Sequence, residues 1–199
     1  MTTFHQVSPS LENYFRAVIL FGQNTASYKF ALGKALIELS ERDDDFVPLD
    51  VLATYFSKHI SEHVALAPKQ STRSGKVKFF DLCERYNSGE ADQDELIEFT
   101  IKNAFNDVID RFHIVNQEDI EKQFYIDERK SNKGIRLTND LRKLVSEMNG
   151  IDLLPEIESR WRLVETAWDL NISRNLIAVS HDEETQSLYV GDNLRRKNI

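Results

Sequence analysis

The sequence predicts a mainly α protein, a multi-helix domain with one or two small β-hairpins in its C-terminal half. Three observations carry this prediction. Apolar residues recur at helical spacing through most of residues 1–110 and again after Pro155. Only 7 Gly and 4 Pro occur among 199 residues, too few for a loop-rich all-β fold. Strand-like runs separated by turn residues are confined to the region beyond Phe112.

In chain order, Leu11, Tyr14, Phe15, Val18, Ile19 and Phe21 define a first helix, with Ser10 placed to cap it. Gly22-Gln23-Asn24 breaks the run, and Thr25 is the expected cap of a second helix reaching about Glu41. Its small residues Ala26, Ala31, Gly33 and Ala35 allow close approach of a neighbouring helix. Asp43-Asp44-Asp45 reads as a solvated turn, and Pro48 suits the first turn of a third helix carrying Leu52, Phe56, Ile60 and Val64 inward. Ala67 to Lys76 is a polar, basic linker. Helices resume at Val77–Tyr86 and Gln93–Asp110, the second with Asp92, Asp94 and Glu95 where the helix dipole favours them. Residues 1–110 are therefore expected to form a helical core domain.

Residues 111–199 are expected to form a helix-plus-hairpin lobe on or next to that core, ending in a basic tail. Phe112–Val115 suits a short strand. Gln123–Asp127 and Gly134–Thr138 flank a polar turn and predict a hairpin. A helix follows Thr138 and stops at Asn149-Gly150, and Pro155 opens a longer one containing Trp161 and Trp168. Leu176–Ser180 and Gln186–Val190 predict a second hairpin.

Composition narrows the chemistry. Cys83 is the only cysteine, so no intrachain disulfide and no multi-thiolate zinc site can form, which fits a cytoplasmic protein. Its apolar helical surroundings suit an inert buried thiol. No apolar run is long enough to span a bilayer, so no membrane association is expected. The formal net charge of −8 means that any nucleic-acid binding must come from a local patch.

Two motifs offer chemistry. His59-Ile60-Ser61-Glu62-His63 satisfies the H-x-x-E-H string, in which two His four residues apart share a zinc ion while Glu activates water. Glu84, Glu95 or Glu98 would have to supply a further ligand, and a solvated helix face is the expectation against which this zinc-hydrolase reading stands. The second motif is a run of cations, Arg129, Lys130, Lys133, Arg136, Arg142 and Lys143, on and after the first hairpin. A cation-tipped hairpin beside a helix resembles a winged-helix arrangement reaching DNA phosphates. Lys69, Arg73, Lys76 and Lys78 would extend that patch if the linker folds nearby. A third option is a protein-interaction domain using exposed aromatic surface around Trp161 and Trp168. There is no phosphate loop, G-x-G-x-x-G, nucleophile elbow or C-x-x-C.

The segment Asn13-Tyr14-Phe15-Arg16-Ala17-Val18-Ile19-Leu20-Phe21-Gly22-Gln23-Asn24-Thr25-Ala26-Ser27-Tyr28-Lys29-Phe30-Ala31-Leu32 resembles the N-terminal region of bacterial HNH-endonuclease-like proteins of the restriction or genome-defence type. Leu194-Arg195-Arg196-Lys197-Asn198-Ile199 is similar to the segment that leads into their nuclease module. The resemblance implies a metal-dependent His-Asn-His module, often with a Cys-x-x-Cys knuckle, acting together with this chain. No such module can be assembled here from His5, His59, His63, His113 and His181, so no catalytic residue and no cofactor is assigned to this sequence. Divalent metal is implied for the absent module alone. The implied role is an accessory, DNA-engaging region whose partners are DNA and a nuclease module in the same or another chain.

Overall fold

In the computed structural model of the protein, residues 8–21, 25–72, 77–147 and 153–172 are described, together with the backbone of 179–182 and 187–190. The Gly22–Asn24 break, Arg73 and Lys76 of the linker, the Asn149-Gly150 stop, the side chains of the second hairpin and the basic tail lie outside the described residues.

The fold is mainly helical, as the periodicity predicts. Helix α1 spans Leu11–Phe21, and Ser10 caps it by accepting a bond from the Asn13 N–H at 3.1 Å. Helix α2 spans Tyr28–Ser40, two residues later than a Thr25 cap requires. The reason lies in tertiary pairing. The Thr25 carbonyl accepts from the Thr72 N–H (3.0 Å) and the Ser27 N–H donates to the Gln70 carbonyl (3.1 Å), so this segment forms a β-bridge before the helix starts. Helix α3 spans Leu49–Leu66, α4 Lys78–Asn87 and α5 Gln93–Phe99, the last capped by Asp92, which accepts from the Glu95 N–H. A π-helical segment, Thr100–Ala104, joins α5 to α6 (Phe105–Arg111).

Strand β1, Phe46–Pro48, was not foreshadowed by periodicity, being three residues long. It is the edge of a three-stranded antiparallel sheet in the order β1-β5-β4, with β4 at Tyr125–Glu128 and β5 at Gly134–Leu137. Strands β2 (Ile114–Val115) and β3 (Glu118–Asp119) form a tight hairpin around Asn116 and Gln117, both left-handed at φ 51° and 72°. A single helical turn, α7 (Arg129–Asn132), and left-handed Lys133 (φ 56°) replace the expected simple turn between β4 and β5. Helices α8 (Asn139–Glu147) and α9 (Leu153–Asp169) follow, and β6 (Val179–Asp182) pairs with β7 (Ser187–Val190) as the second hairpin.

One continuous apolar core runs from Tyr14 to Trp168 among the described residues. Phe15, Phe30, Leu36 and Phe56 share it with Phe112, Phe124, Ile135 and Trp161, and β1 pairs with β5 across the 110/111 division. Each such side chain contributes about 1.5–3 kcal/mol on burial. Among the described residues no helix is long and apolar enough to cross a membrane.

Candidate functional site

The β4–β5 tip collects four of the six cations read from the sequence, and α8 carries the other two. Three of the six are held by carboxylates. Arg129 pairs with Asp127 (2.8 Å) and Asp110 and donates to the Phe105 carbonyl. Arg136 pairs with Glu128 at 2.7 Å and lies over the Phe46 ring. Arg142 pairs with Asp45 at 2.7 Å and donates to the carbonyls of Ser40 and Arg42. Lys143 stands 3.7 Å from Glu147 in an exposed i,i+4 pair. Lys130 and Lys133 are exposed and have no ion pair among the described residues. The Lys133 carbonyl accepts from the Leu49 N–H at 3.0 Å, which ties the tip to the start of α3. Of the linker cations, Lys69 donates to Asn171 Oδ1 and Lys78 is exposed at the start of α4.

The H-x-x-E-H string does not lie on a solvated face. His59 is 3% exposed and His63 2%. Phe56, His59, Ile60 and His63, at i, i+3, i+4 and i+7, share the buried face of α3, where His59 meets Glu38 of α2 and His63 meets α9. The His63 ring lies within hydrogen-bond distance of two carboxylates, Nδ1 at 2.6 Å from Glu165 Oε1 and Nε2 at 3.0 Å from Glu158 Oε2, and it stacks on Trp161 with centroids 3.4 Å apart. Both ring nitrogens are thus engaged by carboxylates of α9. Gln70 extends the network, donating to Glu165 and accepting from Trp161 Nε1. Burial alone would raise the Glu158 carboxyl, but Lys34, His63 and Arg162 outweigh it and hold the group at about 2. His59 is pushed down to about 3, first by burial and then by Lys34 and Lys58. Glu62 stands 3.7 Å from His59 and is more than half exposed. No group of three or more His, Cys, Asp or Glu suited to a metal ion occurs among the described residues.

Trp161 and Trp168 are 0% and 4% exposed, so the expected aromatic surface is absent and both rings belong to the core. Their spacing of seven identifies one helix face, but an apolar face turned inward and one turned outward give the same spacing. Cys83 is buried, and burial pushes its thiol up to about 12.

A cavity of about 430 Å³ lies between α2, α6 and the β2–β3 hairpin. Lys29 and Thr25 line it from one side, Asp107 and Arg111 from α6, and Asn116 and Gln117 from the hairpin tip. The Lys29 Nζ donates to the Phe112 carbonyl (3.1 Å) and the Ile114 carbonyl (2.8 Å). Burial, and secondly Arg111, push this ammonium down to about 8. Periodicity reading passed over Lys29, although a lone cation between Tyr28 and Phe30-Ala31-Leu32 was a visible signal. It likewise passed over Glu158 and Glu165, which share a face of α9 with Trp161. No protein-family model, curated protein sequence or solved structure matches this chain.

Proposed function

We propose that the chain is a DNA-engaging region of an HNH-type nuclease system, without a catalytic site of its own, and that Lys130 and Lys133 contact phosphates. The observation that carries this reading is the exposure of those two lysines at the turn between β4 and β5, without an ion pair among the described residues. The ion pairs of Arg129 with Asp127 and Asp110 and of Arg136 with Glu128 brace the tip, which supports reading it as a wing. The nuclease half of the reading rests on the likeness of Asn13–Leu32 to HNH-endonuclease-like proteins, and divalent metal belongs to that module.

The test is fluorescence anisotropy on duplex DNA across a salt series. Replacing both lysines by alanine weakens binding and reduces the salt slope by about 1.8, the value for two lost phosphate contacts. Binding that is absent, insensitive to salt or unchanged in the double variant overturns the proposal. With an HNH module supplied in the same or another chain, chelation of divalent metal abolishes cleavage and leaves DNA binding by this chain intact.

A second reading, a protein-interaction domain, is favoured by Leu66 (69% exposed) and Leu170 (61%) at the ends of α3 and α9, which the Lys69–Asn171 hydrogen bond ties together. Sedimentation of the wild type against Leu66→Lys/Leu170→Lys tests it, and a monomer in both cases rejects self-association.

A further inference from the structure

We propose that the cavity between α2, α6 and the β2–β3 hairpin binds the phosphoryl group of a nucleotide-sized ligand, held by Lys29 at its floor and Arg111 at its rim. The first argument is charge. Lys29 is 7% exposed and has no ion pair among the described residues. Burying a cation without an anion is costly, and two carbonyls satisfy only two of its three N–H donors. Arg111, exposed at the end of α6, also has no ion pair among the described residues and stands close enough to Lys29 to disfavour its charge. Two partly buried arginines, Arg129 and Arg142, are by contrast paired with carboxylates. Two neighbouring cations left together around a cavity favour an anion from outside.

The second argument is shape and chemistry. A volume of about 430 Å³ lies within the roughly 300–1,000 Å³ of small-molecule pockets and exceeds what a bare phosphate fills. Arg111 supplies a planar fork suited to phosphoryl oxygens, and Lys29 a point charge. Thr25, Asn116 and Gln117 add neutral hydrogen-bonding groups around the cavity. Asp107 also lines it. Its carboxylate leaves one net positive charge among the three ionised side chains and accepts a hydroxyl or amino group of the ligand, which a bare anion lacks. The tight β2–β3 turn holds Asn116 and Gln117 in left-handed conformations, so these two side chains stand on a pre-formed edge.

The experiment is isothermal titration of the full chain with inorganic phosphate, a deoxynucleoside 5′-monophosphate, and one oligonucleotide carrying either a 5′-phosphate or a 5′-hydroxyl. A monophosphate that binds more tightly than inorganic phosphate identifies a free nucleotide as the source. Preference for the 5′-phosphorylated over the 5′-hydroxyl oligonucleotide identifies a nucleic-acid end. In either case Arg111→Gln, at an exposed position, weakens binding about tenfold, equivalent to about 1.4 kcal/mol. Lys130→Ala/Lys133→Ala leaves mononucleotide binding unchanged, which separates this site from the DNA reading. The proposal is overturned if no phosphorylated probe binds, or if Arg111→Gln stays within about threefold of wild type.

Discussion

Gly134 opens β5 directly beneath β1, and the structure leaves no room there for a side chain. A Cβ at this position would stand 2.5 Å from the Val47 carbonyl oxygen and 2.5 Å from Phe46 Cζ. The ring can turn aside, but the carbonyl belongs to the backbone of β1. To restore an ordinary contact of 3.4 Å the strand has to withdraw by about 0.9 Å. That movement pulls on the bond from the Leu49 N–H to the Lys133 carbonyl, which ties the tip to the start of α3. Overpacking of this kind costs about 1–3 kcal/mol, and loss of that hydrogen bond adds about 1 kcal/mol. Gly134→Ala is therefore expected to destabilise by about 2–4 kcal/mol in urea unfolding. Gly89→Ala is the control. Gly89 has φ +79° but nothing within 4 Å of a Cβ, so only backbone strain is incurred, about 1 kcal/mol. A Gly134→Ala midpoint equal to wild type, or a larger loss at Gly89, would refute the assignment of β1 as a close-packed edge.

Two further outcomes follow from the buried polar groups. Glu165→Ala strips an acceptor from both His63 and Gln70 in a buried network and is expected to cost about 3–5 kcal/mol by thermal or urea unfolding; a loss below 1 kcal/mol would show that the network contributes little. The His113 Nε2 accepts from the Phe124 N–H at 2.9 Å, and burial, then Lys29, lower this imidazole to about 4. The unfolded chain takes up that proton first, near the ordinary histidine value of about 6.5, so stability is lost as pH falls from there towards 4. Relative to His113→Gln, the wild type should lose about 1.4 kcal/mol per pH unit in that window, and parallel pH profiles would contradict the neutral, accepting ring.

The His63 network explains why an H-x-x-E-H string occurs here without a metal-ligand cluster among the described residues. Two His four residues apart reach the same side of a helix whether that side meets a zinc ion or another helix. In α3 the partner is α9, whose Glu158, Trp161 and Glu165 repeat at the complementary spacing. A packed polar seam and a metallopeptidase motif thus share a sequence pattern.

Local sequence was sufficient for the helical body. The apolar periods of α1, α2, α3 and α9 and the capping positions Ser10 and Asp92 depend on neighbours within about four residues, and so does the reversal between β4 and β5. Tertiary structure alone decided the rest. It set Glu38 of α2 against His59 and Glu158 and Glu165 of α9 against His63, turned both tryptophans inward, and paired Arg129, Arg136 and Arg142 with carboxylates while leaving Lys130 and Lys133 exposed. It also brought Lys29 of α2 beside Arg111 of α6 around a cavity. The physical reason is range. Periodicity reports which residues share a face of one element, whereas burial, ion pairing and charge repulsion depend on what another element, often some hundred residues away, places against that face.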